Sequence, residues 1–442
     1  MAFDKTARDG ISVVSQQMQD SANRTVFETL SPQGEMPIIS GDRRRVAGIP
    51  LTAAGVRYFE TLSSRRPILL DDAGHVLIDQ PGHALSPPAL TGPNYRPDRL
   101  RKTSIALGGI EAGATGYRLN ITLFGDSWVD TSNYWLRTAL ATLRTRYGDG
   151  GIGYVDFGSP DFLRPEISKT VSGWTVYDTI SSGVPIVGPA LYMRSGSVGA
   201  SLTLTCTDGP IPTSPRLIFE GTDDGVMSYA WNGGAPTSIN VQGASMGSVS
   251  LGSPPSARNW TLALAVTAGT ARIAGVTMSS AADGVTINKV GNNGTRSIDW
   301  SAADAAKWIA GIAAIPTDLA VILLGTNDVR DAVSAATYAA NLKEIVRRIR
   351  LAHPATANLP GPDILLVVPP EVYRTTGRTP MKPYLAAVLA SADALDVAVL
   401  DLTESLGDPY TRRDWFDTDG VHTQPATAGQ IIARRVVKTL TA

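Results

Sequence analysis

The sequence predicts an α/β protein that carries a large all-β insertion. From about residue 301 onward, helical patterns alternate with short apolar runs, which is typical of parallel strands covered by their connecting helices. Between about residues 148 and 284, short β-rich runs recur between Gly, Pro, Ser and Asn turns, which predicts an antiparallel sandwich or jelly roll. Because an apolar strand and a helix also precede this stretch, we interpret it as an insertion into one α/β core.

The first hundred residues are interpreted as a small N-terminal arm. Residues 1 to about 60 are polar, with one helix predicted near Ile11–Leu30. Arg66–Ile78 predicts a hairpin, because two apolar runs flank an Asp-Asp-Ala-Gly turn. Pro81–Pro97 contains five prolines and two glycines and is predicted to be a linker. The expected domains are the arm or accessory domain at 1–100, a core formed by 119–150 and 285–442, and a sandwich at 151–284.

The predicted core begins with strand Leu119–Phe124 and a helix within Asp130–Tyr147, capped by Asp130, Thr131 or Ser132. The apolar positions that we expect this helix to bury are Tyr134, Leu136, Leu140 and Leu143. After the insertion, the predicted helices are Ala302–Ile312, Ala332–Leu351, Met381–Ala392 and Ala426–Leu440, and the predicted strands are Leu319–Leu324, Ile364–Val368 and Val397–Leu402.

The insertion is predicted to contain several short strands, and its aromatic side chains are expected either to bind sugar or to pack in the core. The predicted strands are Ser201–Thr205, Arg216–Glu220, Gly225–Trp231, Thr237–Val241, Trp260–Val266 and Ala271–Met278. The aromatic residues that either stack on sugar rings or fill the sandwich core are Trp174, Tyr177, Tyr192, Tyr229, Trp231 and Trp260.

Composition and charge exclude several classes of partner. The chain has 442 residues, enough for two or three domains, and a net charge of −1, which gives no support for nucleic-acid or anionic-membrane binding. The run Arg43–Arg45 is interpreted as a solvated loop. The one cysteine, Cys206, excludes intramolecular disulfides and cysteine-based metal sites, and its alternating surroundings predict a buried strand residue.

Three short motifs carry the chemistry. Phe124-Gly-Asp-Ser127 follows a strand and precedes a helix, which places Ser127 at the carboxyl end of a strand, where open α/β sheets have their sites. A serine there lies near a helix N-terminus that favours developing negative charge. The structural alternative is that Asp126 and Ser127 only cap the helix.

Leu324-Gly-Thr-Asn-Asp328 also follows an apolar strand. The Asn327 amide is placed to donate a hydrogen bond in the same cleft, where such donors stabilise a tetrahedral oxyanion. The alternative is an ordinary Asx turn.

Asp419-Gly-Val-His422 lies just before the last predicted helix. The spacing lets the carboxylate reach the imidazole across a tight turn, fix its tautomer and stabilise its protonated form. The other histidines, His75, His83 and His353, lie in a hairpin, a linker and a helix end, and are interpreted as structural or exposed.

These motifs together resemble the SGNH (GDSL-type) hydrolases, over residues 119–147 and 285–440. The resemblance implies a three-layer α/β/α core with a parallel sheet. The remaining block of the family is a glycine whose backbone N–H completes an oxyanion hole. Val290–Arg296 matches that block, with Gly294 as our choice and Gly291 as the alternative.

The resemblance implies that Ser127 is the nucleophile, that His422 is first the general base and then the acid, and that Asp419 orients His422. The oxyanion hole would comprise the N–H groups of Ser127 and Gly294 and the side chain of Asn327. No metal or organic cofactor is suggested, since the serine mechanism needs none.

The gap between Ser127 and Gly294 is far longer than one helix and one strand require, and the insertion accounts for the excess. Several esterases that act on carbohydrate resemble this design, in which a jelly-roll module joins an SGNH core. Gly148–Tyr154 opens the insertion and follows a helix rather than a strand. We therefore interpret it as a loop at the edge of the catalytic cleft rather than as a dinucleotide-binding loop.

The function expected from this resemblance is removal of O-acetyl groups from a surface polysaccharide or peptidoglycan-like glycan. The alternatives are a lipase or thioesterase for longer acyl chains and a receptor-binding structural protein with vestigial activity. Retention of all the site residues argues against the last of these.

The N-terminus lacks the apolar core of a signal peptide, and no segment reaches the apolar length of a membrane span. These features predict no membrane insertion and no export by the usual secretory route. A location in a virion tail or baseplate would reconcile the missing export signal with a surface glycan substrate. The arm would then be the attachment segment, and the partners would be other virion proteins or further copies of the chain. A cytoplasmic location or another export route is the alternative.

Overall fold

The computed structural model describes residues 94–356, 360–373, 380–407, 409 and 412–441, together with short strands within the first 80 residues. The chain forms two compact units, 1–89 and 90–442. The strands of the first unit are β1 (Ser12–Val13), β2 (Met18–Gln19), β3 (Thr25–Ser31), β4 (Gly34–Ser40), β5 (Leu69–Leu70) and β6 (Val76–Leu77).

The first unit contains an antiparallel sheet in which β3 pairs with β1, β2 and β4, and a separate hairpin of β5 and β6. The hairpin prediction is confirmed, since Leu69 pairs with Leu77. The predicted helix near Ile11–Leu30 is wrong. Its second half is rich in β-branched and aromatic residues, which favour strands, and it forms β3, which pairs with β4. Arg43–Arg45 and residues 81–93 of the predicted linker lie outside the described residues.

The second unit holds the remaining elements. Its strands are β7 (Asn94–Tyr95), β8 (Arg118–Gly125), β9 (Gly153–Asp156), β10 (Ile167–Ser172), β11 (Thr175–Tyr177), β12 (Tyr192–Ser195), β13 (Ser201–Cys206), β14 (Thr213–Glu220), β15 (Val226–Trp231), β16 (Thr237–Asn240), β17 (Met246–Ser250), β18 (Trp260–Ala268), β19 (Ala271–Ser279), β20 (Gly284–Gly291), β21 (Leu319–Leu323), β22 (Asp363–Val368) and β23 (Ala398–Asp401). Its helices are α1 (Arg101–Glu111), α2 (Ser127–Asp130), α3 (Leu136–Tyr147), α4 (Ser297–Ser301), α5 (Ala305–Ala313), α6 (Thr326–Arg330), α7 (Ala335–Ala352), α8 (Lys382–Leu395) and α9 (Ala428–Leu440). None of the helices in the described part of the chain is long and apolar enough to span a membrane.

One sheet has the strand order β20-β8-β21-β22-β23-β7 and is parallel except for β7 at its edge. Separate apolar clusters cover its two faces, so buried positions alternate between Leu123 on one side and Phe124 on the other. The α/β fold class is confirmed. Gly125 pairs with Gly291 and with Leu323, so β20, β8 and β21 end side by side. The loops that follow these three strands therefore meet at one edge.

Two antiparallel sheets make up the β-rich region. One has the order β11-β12-β19-β14-β17, with β9 also paired to β19, and the other has the order β10-β13-β18-β15-β16. Their facing side chains share one apolar core, which includes Leu204 and Leu262 from one sheet and Leu217 and Ile273 from the other. All six predicted strands of this region are found. The jelly-roll topology and the domain boundaries stay predictions.

The helix predicted within Asp130–Tyr147 begins later than expected. Its first residue is Leu136, Trp135 occupies the N-cap position without a side-chain cap, and the separate short helix α2 precedes it. The predicted cap is therefore wrong, because Asp130 belongs to α2 and is buried there.

The glycine-rich stretch Gly148–Tyr154 lies away from the predicted cleft. Gly150 and Gly151 pack against Gly284 and Ser280, at the amino end of β20. Ser127 follows the opposite, carboxyl end of the neighbouring β8. The expectation that this loop borders the catalytic cleft is wrong, because its glycines allow close packing at the amino end of β20.

Candidate active site

The site is centred on a chain of hydrogen bonds that joins Ser127, His422 and Asp419. The Oγ atom of Ser127 lies 2.7 Å from Nε2 of His422, and Nδ1 of His422 lies 2.5 Å from Oδ2 of Asp419. With the Nδ1 proton directed at the carboxylate, Nε2 is left to accept the hydroxyl proton of Ser127. The structure thus brings together the three side chains that the motifs singled out, although His422 is 295 positions from Ser127.

A tight turn holds the carboxylate and the imidazole together. Oδ1 of Asp419 accepts hydrogen bonds from the backbone N–H groups of Val421, at 2.8 Å, and His422, at 3.0 Å. Burial acts to raise the pKa of Asp419, but these N–H groups and the imidazole outweigh it, so the pKa lies below its usual value. Gly420 has a φ of 67°, and no Cβ would fit there because the carbonyl of Tyr373 occupies the space.

Two aromatic rings flank the imidazole. Tyr134 stacks on His422 with a centroid distance of 4.6 Å and an interplanar angle of 13°, and Trp128 lies at 6.3 Å with a tilted ring. The sequence predicted Tyr134 as a core contact of a helix, whereas it is half-buried beside the imidazole. The apolar period of a helix marks such a position but does not identify its partner.

Two backbone amides are available for a developing oxyanion. Ser127 is the first residue of α2, where helix geometry provides no intrahelical acceptor for its N–H. In the described part of the chain, neither this amide nor that of Gly294 donates to another group. Gly291, the alternative, is buried in β20 against the backbone of Asp130, where a Cβ would collide. The close packing accounts for glycine at this position.

The amide of Asn327 points into the same region but is already bonded. Its Nδ2 donates to the carbonyl of Thr295 at 3.0 Å and to Oδ2 of Asp126 at 3.3 Å. Burial raises the pKa of Asp126 to about 7, opposed by a hydrogen bond from the Trp128 N–H. A primary amide has two N–H donors, so an oxyanion would compete with Thr295 and Asp126 for them.

Asp328 fixes the loop that carries Gly294. Its carboxylate accepts the backbone N–H of Ser297 at 2.9 Å and the Ser297 hydroxyl at 2.5 Å, and Asn341 in turn donates to that hydroxyl. Burial raises the pKa of Asp328 above its usual value, although its bonds to Ser297 lower it. The sequence motif includes Asp328 but does not indicate its role. Its partner, Ser297, lies 31 positions away, and a short motif does not predict such a contact.

The remaining sequence candidates have structural surroundings. His353 is the C-cap of α7, whereas His75 and His83 lie outside the described residues. Cys206 is buried in β13, as predicted. Of the aromatic residues singled out in the insertion, Trp260 and Tyr192 are buried, Tyr177 stacks on Tyr192, and Trp174, Tyr229 and Trp231 pack against the sandwich core.

The parallel sheet and the hydrogen-bonded Ser–His–Asp chain at its carboxyl edge define a site of the serine-hydrolase type. Residues 248–428 match the model of the GDSL-like Lipase/Acylhydrolase family. The matched range contains Gly294, Asn327, Asp419 and His422. It begins after Ser127, inside the β-rich region, and includes β18 and β19.

The chain shares its fold with a solved structure, described as a peptidoglycan O-acetylesterase in action. The TM-score is 0.63 at 20% sequence identity, and the likeness covers 79% of this chain and 98% of that one. Similar structures of lower score include an active-site mutant of a family two carbohydrate esterase from Clostridium thermocellum (TM-score 0.27, 13% identity, 61% of this chain and 97% of that one). Another is Est24, a carbohydrate acetylesterase from Sinorhizobium meliloti (TM-score 0.27, 20% identity, 35% of this chain and 79% of that one).

The two structures of lower score are too dissimilar to carry an argument. No curated protein sequence matches the chain significantly. The family match over residues 248–428 and the shared fold agree with the resemblance predicted from the sequence motifs.

Proposed function

We propose that this protein is a serine esterase that removes O-acetyl groups from a polysaccharide or peptidoglycan-like glycan. The observation that carries the proposal is the continuous hydrogen-bonded chain from Ser127 through His422 to Asp419. An ester hydrolase needs a nucleophile, a base to take its proton and a group that stabilises the charged base. The proposal is supported by the positions of Ser127, His422 and Asp419, which lie within hydrogen-bonding distance in the order that these roles require.

The first half of the reaction forms an acyl-enzyme. Ser127 Oγ attacks the ester carbonyl carbon while Nε2 of His422 takes its proton, and Asp419 stabilises the imidazolium. The N–H groups of Ser127 and Gly294 and the amide of Asn327 stabilise the negative charge on the former carbonyl oxygen. The C–O bond to the sugar then breaks, and the imidazolium gives its proton to the leaving sugar oxygen.

The second half of the reaction regenerates the enzyme. Water, deprotonated by Nε2 of His422, attacks the acyl carbon, and the same donors stabilise the second tetrahedral intermediate. Its collapse breaks the bond to Ser127 Oγ, which recovers its proton from the imidazolium, and acetate is released.

The glycan substrate is supported by the fold likeness to the peptidoglycan O-acetylesterase. That likeness covers 79% of this chain, more than the α/β elements alone comprise. The β-rich region also contacts the loop that carries Gly294, because Nδ2 of Asn292 donates to the carbonyl of Ala190 at 3.2 Å and lies 3.4 Å from the hydroxyl of Thr179. An inserted module beside a small catalytic centre suits a substrate in which a short acyl group is attached to a large polymer.

Acetate release from O-acetylated peptidoglycan, acetylated xylan and acetylated O-antigen tests the proposal, alongside p-nitrophenyl esters of increasing chain length. We expect the Ser127→Ala variant to lose activity by at least about 10³-fold, and the exposed Ser253→Ala variant to match the wild type. Activity retained in Ser127→Ala contradicts the nucleophile assignment. A strong preference for long-chain esters would instead favour the lipase alternative.

A further inference from the structure

A loop of the β-rich region lies directly against the oxyanion glycine. The loop connects β11 to β12, and its residue Ile180 keeps 53% of its surface exposed although it is a large apolar side chain. Ile180 fills the space beside Gly294, since a Cβ built at Gly294 would lie 3.1 Å from Cγ1 of Ile180. An apolar side chain thus lies beside the glycine whose N–H is proposed to bind the carbonyl oxygen.

Hydrogen bonds fix the tip of this loop. Oδ1 of Asp178 accepts the backbone N–H groups of Ile180 at 2.6 Å and Ser181 at 3.0 Å, and Oδ2 accepts the Ser181 hydroxyl at 2.6 Å. This Asx-type turn sets the direction of the chain at Ile180 without using its side chain.

The base of the loop is tied to the α/β part of the unit. Asn292 donates to the carbonyl of Ala190, and Nε1 of Trp308 donates to the carbonyl of Pro189 at 2.9 Å. Trp308 is fully buried in α5, and Asn292 is fully buried in the loop after β20. Ile180 therefore lies beside Gly294 in a loop that is fixed by hydrogen bonds at both its tip and its base.

The reaction geometry assigns Ile180 to one side of the substrate. The leaving sugar oxygen must lie next to Nε2 of His422 to receive its proton, so the glycan occupies the side of the imidazole and of Tyr134. The carbonyl oxygen lies at the N–H of Gly294. The acyl substituent points away from His422, and Ile180 fills the space beside Gly294.

We infer that Ile180 forms the wall of the acyl pocket and limits the substrate to acetyl and similarly short acyl groups. The inference rests on the proposed esterase function and names a residue that sets its specificity. An apolar wall accommodates a methyl group without leaving a polar group unsatisfied, and it excludes longer chains by contact.

The ratio of kcat/KM for p-nitrophenyl butyrate to that for the acetate tests this inference in the full-length chain. Because one methylene changes specificity by roughly 10- to 200-fold in a fitted pocket, we expect Ile180→Ala to raise the ratio by about 10-fold or more, and Ile180→Phe to lower it. Ile211→Ala is the matched control. Ile211 is also exposed, but it lies just before β14, whose first residue, Thr213, pairs with Ser279 at the end of β19. The control should leave the ratio unchanged.

Each outcome decides the question. An unchanged ratio in Ile180→Ala, with acetyl esterase activity retained, overturns the inference and leaves the proposed function intact. A changed preference between acetylated glycan and p-nitrophenyl acetate, with the chain-length ratio constant, also overturns it, because Ile180 would then contact the leaving group. A wild-type protein without Ser127-dependent esterase activity overturns the proposed function and the inference with it.

Discussion

The ring of Tyr134 lies nearly parallel to the imidazole of His422, with the ring centroids 4.6 Å apart. The backbone of Tyr134 is itself fixed, because its carbonyl packs so closely on Gly429 that no Cβ would fit there. Gly429 lies in the first turn of α9, the helix that follows the Asp419–His422 turn. The stack therefore links the segment after Ser127 to the segment that carries His422, and it restricts rotation of the imidazole.

Replacing Tyr134 by Leu should lower kcat by roughly 2- to 10-fold, because an aromatic pair contributes about 0.5–1.5 kcal/mol beyond its buried area. Tyr134→Phe keeps the ring and should restore kcat. Steady-state kinetics with p-nitrophenyl acetate measures both, with the exposed Tyr117→Leu as a control. If Phe and Leu at this position behave alike, the stack does not position His422.

Replacing Asn327 by Ala should lower kcat by about 10²- to 10³-fold, since this is the typical cost of losing one oxyanion donor. KM should change little, because the donor acts mainly on the tetrahedral intermediate. The Asn327 amide also bonds to Thr295 and Asp126, so urea unfolding must accompany the kinetics. A fall in kcat that only parallels a loss of folded protein would show that Asn327 has a structural role alone.

Replacing Gly420 by Ala should lower kcat/KM by at least about 10-fold. A left-handed residue with a Cβ costs about 1–2 kcal/mol, and here the Cβ would also collide with the carbonyl of Tyr373, displacing Asp419 and His422. Gly113 has a similar φ of 68° but open space around it, so Gly113→Ala separates backbone strain from the collision. Equal activities of the two variants would show that the turn tolerates the displacement.

The sequence predicted where the motifs lie because parallel strands place their carboxyl ends at one edge of a sheet. Ser127 follows β8 and Asn327 follows β21, and the structure pairs these strands in parallel. The sequence also predicted the short turn that brings Asp419 close to His422. These are relationships that depend on local spacing or on the order of the strands.

Contacts between distant segments were outside that reach. The stacking of Tyr134, the bonds from Asp328 to Ser297 and the packing of Ile180 on Gly294 each join elements far apart in the chain. A periodic pattern shows that a side chain is buried but does not show against what. The helix predicted near Ile11–Leu30 failed for a different reason, since Thr25–Ser31 is rich in residues that favour strands and pairs with the neighbouring strand β4.

The buried carboxyl group of Asp156 predicts that the stability of the folded protein depends on pH. Asp156, in β9, is 2% exposed, and its Oδ1 accepts the N–H of Gly158 at 2.9 Å. Its Oδ2 has no hydrogen-bond partner among the described residues. Burial raises the pKa of Asp156 to about 8, and the neighbouring charge of Asp130 adds to this, while Lys289 opposes it.

Because the folded-state pKa lies above the unfolded value, the folded protein binds the proton more tightly. This contribution to stability is fully present below about pH 4 and is lost as the pH rises through about 8, with a slope of up to about 1.4 kcal/mol per pH unit. Asp156→Asn has no such titration, so its unfolding free energy relative to the wild type should be clearly higher at pH 8 than at pH 5. Urea unfolding at both pH values measures the difference, with exposed Asp223→Asn as the control. The same difference at both pH values would mean that the Asp156 carboxyl group does not titrate in this window.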